Sequence, residues 1–310
     1  MSLQSILWML VRHGQKFMVY PSAYEPKPRS IFLPSELGLA YTNLELRTSD
    51  KVKLRCFFLR YADQSAARIR QCTHEDIIED EAPPDFPNTG QLSAGTVVVF
   101  HGNGMNCGDM SFAAKRFLFG GCDVLIVSYR GYAESEGSPH EKGLRLDAQA
   151  ALDHVLAQPD LAKRPIILYG TSLGGAVAID LASRNPETVS AIIVENTFLS
   201  LPRVVRDWPV IGPFSFLCFQ RWDSASKIKR IPRSTPILML SGAQDEIVPP
   251  KHMSALWGLA QKRGPQGSQK ECDRFESFEE GCHPDTFTCP GYWEKVGEFL
   301  RVVSDKHGTR

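Results

Sequence analysis

From Thr96 onward, short continuous apolar runs alternate with longer stretches of helical periodicity. The runs fall at 96–100, 124–128, 166–170, 191–195, 236–241 and 273–278, and helical patterns fill 109–119, 142–157, 173–184, 251–262 and 291–303. Strands that carry no polar alternation are buried on both faces, so the pattern predicts a mostly parallel sheet with helices on both sides. Ahead of it, 43–47 and 51–60 alternate apolar with polar around Thr48-Ser49-Asp50, the signature of an antiparallel hairpin. The expectation is one α/β domain of about eight strands, with the hairpin as an antiparallel edge.

Three stretches depart from this rhythm. Residues 63–94 carry few apolar side chains, an acidic run from Glu75 to Glu81 and a proline-rich tail, and read as a mobile surface insertion. Residues 197–235 are too long for a simple connection and carry Leu199, Leu201, Val204, Trp208, Phe214 and Trp222 among other apolar residues. They read either as helices packed on the sheet edge or as a small apolar cap over the strand ends, where ligands of such sheets bind. The cap is the favoured reading. The third stretch is Leu3–Val11, apolar but interrupted after Val11 by Arg12-His13, and shorter than the roughly twenty residues that a spanning helix needs. It reads as an interfacial helix, as a segment folded onto the body or as the remnant of a longer anchor, and Trp8 with basic flanks is compatible with contact at a membrane surface. The chain so divides into an apolar segment, 1–20, and an α/β domain, 21–310.

Composition narrows the function. Among 310 residues, 35 Lys and Arg balance 35 Asp and Glu, and no basic stripe points to nucleic acid. Eight scattered cysteines without C-x-x-C read as mostly reduced core thiols. Cys272, Cys282, His283 and Cys289 match no common structural-zinc spacing, so neither metal nor cofactor is expected.

The chemistry-bearing run is Ile166–Tyr169 followed by Gly170-Thr171-Ser172-Leu173-Gly174, with a helical pattern directly after it. G-x-S-x-G between a strand and a helix presents a nucleophilic serine on a sharp turn. Gly170 and Gly174 let strand and helix approach without Cβ clashes. By itself the motif is also compatible with an ordinary glycine-rich turn. A serine nucleophile needs a base, an orienting acid and an oxyanion hole, with acid and histidine following in that order at the ends of later strands. Asp245 follows the strand 236–241, and His283 follows the strand 273–278, where that order requires them. Glu195, ending the strand before, is the reserve acid. After the strand 96–100, His101-Gly102-Asn103-Gly104 forms a small-residue loop, and Asn103 and Leu173 are the expected oxyanion donors through their backbone N–H groups. His101 reads as a loop-holding residue with Gly102, not as a base. His140 and His252, set among polar residues, read as exposed.

Several strings together resemble the eukaryotic α/β-hydrolase-domain proteins of the bud-emergence (Bem) group. They are Phe100-His101-Gly102-Asn103-Gly104, Ser128-Tyr129-Arg130-Gly131-Tyr132, Gly170–Gly175, Glu195-Asn196-Thr197-Phe198-Leu199 and Asp245–Pro250. The resemblance runs from Val19 almost to the C-terminus. It implies an α/β-hydrolase fold, a serine hydrolase with its catalytic residues on Ser172, Asp245 and His283, and a site on endomembranes or the plasma membrane. Relatives that are protein S-acyl thioesterases suggest that substrate class. The sequence departs from the family's G-[ST]-H-N-D at Gly281-Cys282-His283-Pro284-Asp285, and its N-terminal apolar run is shorter than the family's membrane segment.

The function expected is hydrolysis of acyl esters or thioesters, on lipid or S-acylated protein, through an acyl-enzyme and without a cofactor. The chain is expected to be a monomer, membrane-associated, with a cytoplasmic location as the alternative. Two further readings stand beside it. One is a peptidase using the same three residues, although the chain shows no added propeller-like domain. The other is a catalytically silent scaffold in polarity or trafficking.

Overall fold

The computed structural model describes residues 19–24, 30–64, 94–209, 212–264 and 272–308. The predicted insertion at 63–94 and the segment 1–20 lie almost wholly outside these residues. Eight strands form one sheet: β1 (Thr42–Arg47), β2 (Lys53–Leu59), β3 (Gly95–Phe100), β4 (Cys122–Val127), β5 (Ile166–Thr171), β6 (Ala191–Glu195), β7 (Ile237–Gly242) and β8 (Arg274–Phe278). Their order is β1-β2-β4-β3-β5-β6-β7-β8. The β1–β2 and β2–β4 pairs are antiparallel, and every other pair is parallel. The hairpin at one edge and the parallel body agree with the sequence pattern.

Period two decides which side chain serves which face. On β3, Val98 and Phe100 join one buried cluster while Val97 and Val99 join the other; on β5, Leu168 faces opposite to Ile167 and Tyr169. The first cluster is covered by helices α2 (Glu141–Leu156), α4 (Leu173–Arg184) and α7 (Lys251–Ala260), and the second by α1 (Ser111–Phe119) and α8 (Tyr292–Gly308). Helix α8 shows why such a stretch is helical. Tyr292, Trp293, Val296, Phe299, Leu300 and Val303 recur on one face and are all buried. The short helices α3 (Pro159–Ala162), α5 (Leu201–Asp207) and α6 (Ser224–Lys227) complete the set among the described residues.

Within 197–235, the stretch read from the sequence as a cap, the described residues form α5, a 3-10 turn over Gly212–Leu217, α6 and a second 3-10 turn over Ile228–Arg230. Tyr20 is fully buried, although the sequence groups it with the N-terminal segment. Its hydroxyl accepts from Trp222 Nε1 at 2.9 Å and donates to Gln220 Oε1 at 3.1 Å, which ties the start of the described chain to the cap.

Candidate active site

Strand β5 lies at the centre of the sheet and ends at Thr171; Ser172 then turns the chain into α4 with φ 51° and ψ −114°. A non-glycine residue there is strained by about 1–3 kcal/mol and needs its surroundings to hold it. Ser172 N–H donates to Glu195 O at 2.8 Å, and Thr197 Oγ1 donates to Ser172 O at 2.7 Å. A Cβ on Gly170 would strike the backbone of Gly174, and one on Gly174 would strike the carbonyl of Phe100. Both positions therefore require glycine, because strand, turn and helix approach one another without room for a methyl group.

His283 Nε2 lies 3.0 Å from Ser172 Oγ, and His283 Nδ1 lies 2.7 Å from Asp245 Oδ2. The other oxygen, Asp245 Oδ1, accepts the backbone N–H groups of Ile247 (2.9 Å) and Val248 (2.7 Å). Asp245 is buried and acceptor-only when ionised, so an N–H on Nδ1 leaves Nε2 free to accept from the serine hydroxyl. Cys282 and Pro284 do not displace the ring. Its loop is closed by Asp285 Oδ1 accepting from Cys282 N–H at 2.9 Å and by Thr286 Oγ1 donating to Cys282 O at 2.6 Å.

Glu195, the reserve acid, lies elsewhere. Its carboxylate accepts from Tyr169 (2.8 Å) and Tyr292 (2.7 Å) hydroxyls, and Asp245, not Glu195, holds His283 Nδ1. Burial pushes the Glu195 carboxyl above its ordinary value, while the two tyrosine hydroxyls act in the opposite direction. Asn103 and Leu173 both line the cavity that contains Ser172. The Leu173 N–H belongs to the first turn of α4, where no carbonyl of the same helix can reach it. Asn103 Oδ1 accepts from Tyr132 Oη at 2.6 Å, a support that the sequence reading did not include. His101 is fully buried against Tyr129 and Tyr132, and its Nδ1 donates to Gly102 O at 2.8 Å. Burial pushes its imidazole down to about 4, so the ring is neutral near pH 7, and it is not among the cavity-lining residues.

Two residues were missed. Asn196, with φ 45°, is buried between the loops after β7 and β8. Its Oδ1 accepts from Gly242 N–H at 2.8 Å, while its Nδ2 donates toward Thr286 Oγ1 (2.9 Å), Cys282 O (3.2 Å) and His283 O (3.3 Å). His252, expected at the surface, is buried: its Nε2 meets Asp207 Oδ2 at 2.8 Å and its Nδ1 accepts from Leu199 N–H at 3.4 Å. The polar neighbours in sequence misled, because Asp207 reaches His252 from the cap.

A cavity of about 1170 Å³ opens over Ser172 and His283. Ligand clefts usually measure roughly 300–1,000 Å³, so this one is large. Most of its lining is apolar, with Phe32, Phe112, Phe198, Val204, Trp208 and Phe214 among the residues, and several come from the cap. Among the described residues no His, Cys, Asp and Glu cluster could hold a metal ion.

A strained serine elbow ending a central parallel strand, with an imidazole and a carboxylate delivered by the two later strands, defines an α/β-hydrolase of the serine-hydrolase type. A family model described as serine aminopeptidase, S33, matches residues 91–229. Over 293 residues the chain is 36% identical to the protein bem46 of Schizosaccharomyces pombe, covering 92% of this chain and 85% of that one. It is 34% identical to a Saccharomyces cerevisiae protein named as a membrane protein, YNL320W (93% of this chain, 89% of that one). It is 32% identical to the α/β-hydrolase-domain protein WAV2 of Arabidopsis thaliana (94% and 89%). The chain belongs to this family of eukaryotic α/β-hydrolase-domain proteins. In solved structures its fold matches an esterase, Pf2001, of Pyrococcus furiosus, with a TM-score of 0.66 at 18% identity, over 89% of this chain and 96% of that one. It also matches an α/β-hydrolase of Vibrio vulnificus, with a TM-score of 0.68 at 18% identity, over 96% and 93%.

Proposed function

We propose that this protein hydrolyses acyl esters or thioesters of apolar acyl groups, on lipids or S-acylated proteins, through an acyl-enzyme on Ser172. The observation that carries the reading is the hydrogen-bonded line Ser172 Oγ–His283–Asp245, whose Ser172 and His283 line a large apolar cavity. His283 takes the Ser172 proton as Oγ attacks the acyl carbon, and Asp245 holds the imidazole's orientation and stabilises its cation. The oxyanion that forms is received by the backbone N–H groups of Asn103 and Leu173. His283 then gives its proton to the departing oxygen or sulfur, and a water activated by the same ring releases the acid. Each oxyanion donor is worth about 10²–10³ in rate. No step needs a metal or an organic cofactor.

Ester or thioester cleavage is favoured over peptide cleavage by the lining. Among the cavity-lining residues the acidic ones are Asp109 and Glu195, and Glu195 is engaged by two tyrosines, so neither stands ready for a peptide's amino terminus. The site lies on a membrane in this reading, supported by the apolar run Leu3–Val11 and by the name of the budding-yeast relative. Among the described residues no helix is long and apolar enough to cross one. The test is turnover of p-nitrophenyl esters of increasing chain length, of acyl-thioester peptides and of aminoacyl amides. Rates that rise with acyl length on esters and thioesters support the reading. Preference for the amides would replace it with a peptidase, and rejection of every substrate would replace it with a scaffold.

A further inference from the structure

The described residues expose eight large hydrophobic side chains, and half of them line one opening. Phe112, Trp208, Phe214 and Ile247 are exposed and also line the cavity over Ser172. Phe216 and Phe219 belong to the same cap segment as Phe214 but do not line the cavity; they are 73% and 50% exposed. A soluble surface seldom leaves three phenylalanines this open within six residues, because each is stabilised by leaving water.

The exposed charges of the cap stretch 201–222 itself are basic. Within 201–222 the basic residues Arg203, Arg206 and Arg221 are exposed. The one acid of that stretch, Asp207, is already taken by Lys251 Nζ (2.6 Å) and His252 Nε2 (2.8 Å). Aromatic side chains flanked by arginines suit the interface of an anionic bilayer, where rings sit among the headgroups and guanidinium groups meet lipid charge. The described chain begins at Val19, which lines the cavity, and at Tyr20, which is bonded to Gln220 and Trp222 of the cap.

We propose that the cap face bearing Phe214, Phe216 and Phe219, with Arg203 and Arg206, docks on an anionic lipid bilayer and turns the cavity mouth toward it. Substrate acyl chains then pass from the bilayer into the cavity without crossing water. The inference deepens the membrane reading of the site, but its test does not depend on turnover, so the two fail separately.

The experiment is flotation of the full chain with vesicles of phosphatidylcholine, alone or with phosphatidylserine. The variants are Phe216→Ser/Phe219→Ser and Arg203→Gln/Arg206→Gln. The unmodified chain is expected to float with the mixed vesicles. The phenylalanine variant is expected to lose about tenfold in partitioning while keeping its thermal midpoint. The arginine variant is expected to lose the phosphatidylserine preference. Equal flotation of the phenylalanine variant and the unmodified chain would overturn the proposal, since the N-terminal run would then suffice. No flotation by the unmodified chain would overturn it as well. So would a dimer on gel filtration that Phe216→Ser/Phe219→Ser makes monomeric, because the patch would then belong to a second copy.

Discussion

Replacing Asn196 with glycine separates the geometry of the site from its chemistry. Asn196 touches none of the reacting atoms, yet its amide joins the turn after β7, which carries Asp245, to the loop after β8, which carries His283. Its oxygen assignment follows from chemistry: Gly242 N–H can only donate, so the atom facing it must accept. Glycine accepts the φ of 45° without strain, so Asn196→Gly removes the amide and leaves the backbone at ease, as alanine would not. The loss orphans a buried N–H and weakens the hold on two carbonyls. At about 1–3 kcal/mol for an unsatisfied buried group, the fold loses roughly 2–4 kcal/mol, or on the order of 3–6 °C in thermal midpoint. Freed of the clamp, the His283 loop can shift, and a displacement near 1 Å costs about 100-fold in rate. The expected result, measured where the variant is fully folded, is a 10- to 100-fold fall in kcat and in fluorophosphonate labelling rate, with KM unchanged. Thr286→Val, which loses the bond from Asn196 Nδ2 and the one to Cys282 O but keeps the Asn196–Gly242 contact, is expected to fall between Asn196→Gly and the unmodified chain. A folded Asn196→Gly protein with full kcat would refute the reasoning and leave Asn196 a purely structural residue.

Three further outcomes follow from the same contacts. His101 is held neutral by burial, with its imidazole down at about 4 against roughly 6.5 when exposed. Between those values the unfolded chain binds a proton that the folded chain refuses, so about 3 kcal/mol of stability, complete above about pH 6.5, is lost as pH falls toward 4. His101→Asn, which keeps a donor for Gly102 O, should flatten that part of the stability profile in urea titrations; an unchanged slope would contradict the burial argument. Tyr132→Phe removes the hydrogen bond to Asn103 Oδ1 and should lower kcat several-fold with little change in KM, checked by steady-state ester hydrolysis. Gly174→Ala drives a methyl group into the carbonyls of Phe100 and His101 and should cost at least several kcal/mol, seen as low soluble yield or an early thermal transition.

The grouping of Ser172, Asp245 and His283 is legible in the sequence for a topological reason. In a parallel sheet every strand delivers its following loop to the same edge, so chain order alone places Ser172, Asp245 and His283 together. Asn196 was not readable, since its partners are backbone atoms of Gly242, Cys282 and His283, and main-chain groups leave no trace in a residue pattern. The cap shows the same limit. Its apolar run was recognised, but that run divides three ways: Val204 and Trp208 line the cavity, Trp222 is wholly buried with its indole on Tyr20, and Phe216 and Phe219 face outward. Hydrophobicity is common to all three and so could not sort them. His252 was misplaced for a related reason, as its acid comes from 45 residues away.

The central claim concerns Ser172 Oγ, 3.0 Å from His283 Nε2. Intact-mass measurement after exposure to a fluorophosphonate probe tests it most directly. One adduct, mapped to Ser172 in the unmodified chain and absent from a folded Ser172→Ala protein, is the expected result. Equal labelling of Ser172→Ala, or a folded unmodified chain that takes up no probe, would contradict it.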